Sequence, residues 1–191
     1  NFKPNKQVLL MPGSREAEIK TLLPELVSTV ILMRKSDPQI KFSLSLANDH
    51  LKSWVENKIL GLDIELSVGD AHDKIRISDL VIVASGTATL EVALLAVPMI
   101  VIYKLSAVSY QIVRHLLNTK FISLPNAILG KEVVPELIQE KANGQNIANL
   151  AMNFVMSDNA KIVSELERIH ELLNQNSSVK SAEAVMEFLH G

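Results

Sequence analysis

The stretch Asp79–Lys104, DLVIVASGTATLEVALLAVPMIVIYK, decides how the rest of the chain is read. From Leu80 to Tyr103 every residue is apolar, small or hydroxylated except Glu91. A membrane helix needs about twenty continuous apolar residues, and this run is long enough. Its middle argues against that reading: Ser85, Gly86, Thr87, Thr89 and Glu91 would be costly in lipid. Leu80–Ala84 and Met99–Ile102, in contrast, are short branched runs of the kind found in strands buried on both faces. Strand, turn, helix, strand fits better. Ser85-Gly86-Thr87 then forms the turn at the carboxyl end of one strand and opens a helix over Thr87–Ala96. Such a helix end attracts anions, because its first amides are unpaired and the helix dipole is positive there.

Glu91, about one turn into that helix, has two readings. It complements the dipole or bonds a capping hydroxyl, although Ala88 three residues earlier rules out a capping box. Alternatively, a carboxylate on an otherwise apolar helix needs a partner if buried, and the hydroxyls of a ligand ribose would serve.

The same pattern recurs at the start of the chain. Gln7–Met11 (QVLLM) reads as a buried strand, closed by Pro12-Gly13-Ser14-Arg15. From Glu16 to Lys35, apolar residues at Ile19, Leu22, Leu23, Leu26, Val30 and Met33 recur at helical spacing. A second helix amino end therefore carries Gly13, which permits close backbone approach, and Arg15, a fixed cation. Taken alone, the turn is also what any strand-to-helix connection looks like, with Arg15 a solvated surface residue. Its pairing with Ser85-Gly86-Thr87 is what points to an anion.

Further strands are expected at Ile40–Leu46, Asp63–Val68, Asp79–Ala84 and Pro98–Tyr103, with helices at Asp49–Ile59, Asp70–Ile77 and Val108–Leu117. Phe121–Leu124 reads as a short extended segment and Ser123–Asn126 as a loop at the same end of the sheet. Glu132–Glu140, Gly144–Ser157, Asn159–Gln175 and Val179–His190 read as helices. Alternating strands and helices predict an α/β fold: a doubly wound parallel sheet with right-handed crossovers, Rossmann-like, carrying a helical C-terminal tail. In the order 3-2-1-4-5 the first and fourth strands are neighbours where the winding reverses, and ligands bind at their carboxyl ends. Both glycine turns fall there. Neither is a G-x-G-x-x-G fingerprint or a P-loop, which disfavours hydride transfer and ATP hydrolysis.

With 191 residues, 48% of them hydrophobic, the chain is long and apolar enough for one full domain. A net charge of −2 gives no basic field for nucleic acid. The lack of Cys excludes disulfides and Cys-type zinc sites and makes cytosol the default compartment. The five His are scattered without ligand spacing, so no metal site is expected. No signal peptide is visible, and a start at Asn1 shortly before a strand suggests a piece of a longer protein.

Four ordered blocks, LLMPGSREAEI at Leu9–Ile19, ASGTATLEVALLAVPMIVIYK at Ala84–Lys104, FISLPNAILGKEVVPELIQE at Phe121–Glu140 and the helical tail, closely resemble the carboxyl-terminal half of bacterial lipid-A-disaccharide synthases. These are GT-B-fold glycosyltransferases. Two departures are Met11, where Leu is usual, and Ala96, where Gly commonly stands before Pro. The resemblance implies a nucleotide-sugar-binding domain over 1–140, a helical extension over 141–191 packed on it or on a partner, and an N-terminal acceptor and catalytic half that is absent. It implies transfer of 2,3-diacylglucosamine from UDP-2,3-diacylglucosamine to 2,3-diacylglucosamine 1-phosphate (lipid X), making a β-1,6-linked disaccharide and releasing UDP.

Carried onto this sequence, Gly13, Ser14, Arg15, Ser85, Gly86 and Thr87 would hold the diphosphate, Glu91 the ribose, and Asn126 the uridine side. Arg15 would stabilise the departing UDP, with no metal or other cofactor. The general base would lie in the missing half, so this chain is expected to bind UDP without turnover. The resemblance further implies a peripheral protein at the cytoplasmic face of the inner membrane, and a homodimer through exchanged C-terminal helices. Tyr103, Lys104, Tyr110, Arg114, His115 and Lys120 surround an apolar helix that either approaches an anionic membrane or covers the sheet. Alternatives of the same architecture are a UDP-N-acetylglucosamine 2-epimerase, for which Asp70 and His72 are acid/base candidates, and a MurG-like transferase. A non-catalytic nucleotide-binding or assembly module is the third.

Overall fold

A computed structural model describes residues 6–105 and 120–173. Its centre is a six-stranded sheet in the order β3-β2-β1-β4-β5-β6. The strands are β1 (Gln7–Met11), β2 (Lys41–Leu46), β3 (Ile64–Val68), β4 (Leu80–Ala84), β5 (Met99–Tyr103) and β6 (Glu136–Ile138), and every pairing is parallel. The expected order of five strands is met, with β6 added at the edge. Between the strands run α1 (Glu16–Ser36), α2 (Lys52–Ile59), α3 (Ala71–Ile77), α4 (Ala88–Leu94) and α5 (Leu124–Leu129). After β6 come α6 (Gly144–Met156) and α7, helical from 160 to 173. The helices expected at Val108–Leu117 and Val179–His190 lie outside the described residues.

Side-chain alternation along the strands divides the core into two layers. Val8, Leu10, Leu80, Ile82, Ile100 and Ile102 face α1, α2 and α6. Leu9, Met11, Val81, Val83, Met99 and Val101 face α3, α4 and α7. That is why the central strands read as continuous apolar runs. The layer on the first side is tied at its margin by Glu25 of α1. One of its carboxylate oxygens takes the Lys104 ammonium at 2.5 Å, and the other accepts the Gly144 amide at 2.9 Å. Gly144 itself lies so close to α1 that a Cβ there would overlap Ser28.

Three expectations over the last third are corrected. Phe121–Leu124 is not extended and Ser123–Asn126 is not a loop: helix α5 starts at Leu124, with Pro125 in its first turn, and ends at Gly130 with φ +66°. Proline suits that turn because its missing N–H has no intrahelical partner there and its φ is already helical. Glu132–Glu140 is not a helix either. Pro135 lacks an amide and its carbonyl instead accepts the Val101 N–H at 3.0 Å, so the chain joins the sheet as β6 and then makes a 3-10 turn, Gln139–Lys141. The amides of Val133 and Val134 are taken by Asn126 Oδ1 at 2.8 and 3.0 Å, which removes them from any helix.

Helix α4 ends in a Schellman motif. The Val97 amide reaches the Val92 carbonyl at 3.3 Å and the Ala96 amide reaches Ala93 at 2.9 Å. Ala96 consequently has φ +53°, a region where a Cβ is strained. Ala96→Gly should therefore raise unfolding free energy by about 0.5–1 kcal/mol, read as a higher urea midpoint at unchanged slope.

Candidate functional site

Parallel pairing of β1 with β4 sets Leu10 beside Ile82 and Met11 beside Val83. The two strands thus end level, and the turns that follow them face each other across a cleft of about 370 Å³. Gly13, Ser14, Arg15, Ser85, Gly86, Thr87 and Glu91 all line it. The sequence-selected residues from the two turns and from α4 are therefore brought together. Glu18 and Ser45 complete the polar lining.

On the β1 side, Gly13 has φ +105°, and a Cβ there would fall 2.6 Å from Glu18 Oε2. Glycine is needed both for the backbone and for the carboxylate folded over it. Glu18 in turn caps α1: its Oε2 accepts the Arg15 amide at 3.4 Å and its Oε1 accepts a guanidinium N–H of Arg15 at 3.0 Å. Arg15 otherwise stands in solvent, its side chain 83% exposed. A guanidinium carries five N–H donors, so most remain available to an anion in the cleft.

On the β4 side, the Ser85 amide bonds the Ile102 carbonyl at 2.9 Å and its hydroxyl donates to the Ile122 carbonyl at 2.7 Å. Buried Thr89 donates its hydroxyl to the Gly86 carbonyl at 2.7 Å, closing the turn from below. Gly86 and Thr87 are exposed to the cleft, and a Cβ at Gly86 would meet no atom within 4 Å. Glu91 is also exposed, and among the described residues its carboxylate has no ion-pair partner. The buried charge that the sequence suggested is thus a carboxylate open to the cleft.

Asn126 is not brought to the lining. It is fully buried, donating to the Val134 carbonyl at 2.7 Å and to Glu136 Oε1 at 2.8 Å while accepting the Val133 and Val134 amides. All of its hydrogen-bonding capacity is spent inside the fold, which replaces the expected uridine contact with a structural one. Its partner Glu136 was not singled out from the sequence. Glu136 also accepts the Ile122 amide at 2.9 Å and the Ser123 amide and hydroxyl at 3.0 and 2.6 Å. The start of α5 therefore already holds an anion, supplied by the chain, and through Ile122 this cluster reaches Ser85. A glutamate inside an edge strand was the available signal. Asp70 bonds Ser45 at 3.2 Å, and His72 is exposed beside Asp73; neither lines the cleft.

Tyr103, at the end of β5, feels both charges of the Arg15–Glu18 pair. Burial raises its pKa above the usual phenol value, the Glu18 carboxylate raises it further, and Arg15 opposes them more weakly.

A doubly wound parallel sheet with two glycine turns facing a cleft at its switch point defines a Rossmann-like ligand-binding domain. Solved structures with a similar fold include the pneumococcal O-GlcNAc transferase GtfA in complex with UDP and GlcNAc, at TM-score 0.55, 16% identity, and coverage of 100% of this chain and 37% of that one. Another is UDP-GlcNAc 2-epimerase from Neisseria meningitidis bound to UDP-GlcNAc, at TM-score 0.51, 14% identity, and coverage of 90% and 45%. Transferases and epimerases share the architecture, so these likenesses establish the fold. The chain belongs to the lipid-A-disaccharide synthetase family, whose profile matches residues 1–188. It is 35% identical over 187 residues to lipid-A-disaccharide synthase of Alteromonas mediterranea, covering 94% of this chain and 49% of that protein. For the Pseudomonas aeruginosa (strain UCBPP-PA14) synthase the figures are 35% over 185 residues, 95% and 49%. The chain spans about half the length of the curated relatives it matches.

In a Tyr110→Phe background the 295 nm absorbance of Tyr103 should titrate above the usual phenol range, and Glu18→Gln should lower that midpoint. The neutral phenol is the form the fold favours, so its contribution to stability is full below the unfolded pKa and is lost as pH rises through the raised value.

Proposed function

We propose that this chain is the donor-binding half of a glycosyltransferase that moves 2,3-diacylglucosamine from its UDP carrier to 2,3-diacylglucosamine 1-phosphate, releasing UDP. Membership of the synthetase family supports the reaction, and one observation carries the site: turns far apart in sequence meet in a single cleft at the ends of β1 and β4. In this reading the amides of Gly13, Ser14, Gly86 and Thr87 and the Arg15 guanidinium hold the diphosphate against the starts of α1 and α4, while the bonds of Ser85 fix the second turn. Helix α1 is 21 residues long and supplies the larger dipole. Glu91, unpartnered and open, accepts the ribose hydroxyls.

Arg15 supplies the chemistry. Breaking the bond between the sugar and the diphosphate leaves extra negative charge on UDP, and a guanidinium already in place stabilises that charge more than it stabilises the bound donor. Asn126 and Glu136 act at a distance by fixing the segment that supports Ser85. The general base and the lipid acceptor belong to an amino-terminal half. The assembled protein works at the cytoplasmic membrane face as a peripheral protein; among the described residues no helix is long and apolar enough to cross a bilayer.

Calorimetry with UDP tests the site. The native chain should bind, and Arg15→Ala should weaken binding by about 1.5–3 kcal/mol, the worth of a charge-assisted phosphate contact; an unchanged titration would refute the assignment. Gly86→Val, which points a side chain into open cleft, should keep the native melting temperature yet abolish UDP binding. The chain incubated with both lipid substrates should form no disaccharide.

A further inference from the structure

The cleft assigned to a diphosphate is not a positive one. Its charged lining consists of Arg15, Glu18 and Glu91, one cation against two carboxylates. Glu18 is the carboxylate nearest the cation, 3.0 Å from the Arg15 guanidinium, with its side chain only 18% exposed. It is held there by Gly13, since any Cβ at that position would collide with it. Both charges act on Tyr103, where the effect of the carboxylate is the larger.

Resting on the donor-site reading above, we propose that Glu18 makes the cleft discriminate between donor and product by charge. In a UDP-sugar both phosphates are esterified or bridged, so the diphosphate carries two negative charges. After transfer the terminal phosphate is free, with a second ionisation near pH 6, and UDP carries about one charge more. Arg15 is placed on the leaving phosphate, so that extra charge appears beside Glu18. The carboxylate penalises it, which weakens retention of the product while costing the donor less. Glu18 is thus a positioning residue for Arg15 and a specificity residue for the charge state of the ligand.

The test compares the affinities of UDP and UDP-N-acetylglucosamine for the 191-residue chain between pH 5.5 and 8. Arg15 and Glu18 act on the extra charge in opposite senses, so the test is the difference between the native and Glu18→Gln chains, which should shrink as pH falls and the terminal phosphate of UDP takes up a proton. Glu18→Gln should tighten UDP at pH 8 by about three- to tenfold more than UDP-N-acetylglucosamine, the size of one charge removed at about 6 Å and an effective dielectric of about 40–80. The other ionisable groups on the neighbouring elements include His50, paired with Glu16 at 3.5 Å, and His72 beside Asp73. These groups, with Glu91 and Tyr103, are the same in native and variant chains, so the comparison at one pH isolates Glu18. An equal change in both affinities on Glu18→Gln, or a preference for UDP that does not shrink as pH falls, would overturn the proposal. Glu18→Asp, which keeps the charge, should leave the native ratio, so the same preference for UDP in both variants would also overturn the proposal. An Arg15→Ala chain that binds UDP normally would instead overturn the donor-site reading itself.

Discussion

Everything in this fold depends on the parallel pairing of β1 with β4. The strands on one side of that pair are reached by crossovers over one face, and those on the other side by crossovers over the opposite face. At this seam α1 and α4 diverge to opposite layers, and the cleft opens between their starts. The register of the pair, Met11 beside Val83, makes the two turns emerge at the same height. A slip of one residue would move every apolar side chain of β1 to the wrong layer. The burial of Val8, Leu9 and Leu10 at no more than 1% exposure therefore also sets the geometry of the cleft.

A second constraint works behind the cleft. Glu136 is a carboxylate with four hydrogen-bond donors around it and no ion-pair partner among the described residues. Such a group is tolerated when its lone pairs are satisfied, and here it fixes three things at once: the start of α5, the side chain of Asn126 and the segment under Ser85. His170 of α7 does comparable work at the far end of α4, its Nε2 donating to the Leu94 carbonyl at 2.6 Å. The short helix that carries the β4 turn is thereby held at both ends by residues distant in sequence.

Much of this was legible in the letters because it rests on local rules. Branched apolar runs and glycine turns marked β1, β2, β4 and β5 and the starts of α1 and α4, and alternation supplied the sheet order. The reading failed where a longer-range bond overrides local pattern. Val133, Val134 and Leu137 have helix-like spacing, but Pro135 and the grip of Asn126 turn the segment into an edge strand. Asn126 was assigned a ligand contact by the resemblance, in a segment read as a loop at the ligand end of the sheet, whereas four hydrogen bonds inside the fold claim it. Glu18 went unremarked since its tie to Arg15 depends on a glycine conformation that spacing does not reveal.

The packing of α6 and α7 changes what counts as the end of the domain. Ala142, Ile147, Ala148, Ala151 and Phe154 belong to one core layer, and Leu166 and Ile169 to the other. Helices α6 and α7 close both sides of a sheet whose first strand lies far upstream, as a strap buckles over a parcel. A truncation designed to keep only the strands and the cleft would uncover Val8 and Leu10 on one face and Met99 and Val101 on the other. The minimal fragment able to hold a ligand is consequently much longer than the stretch that touches it.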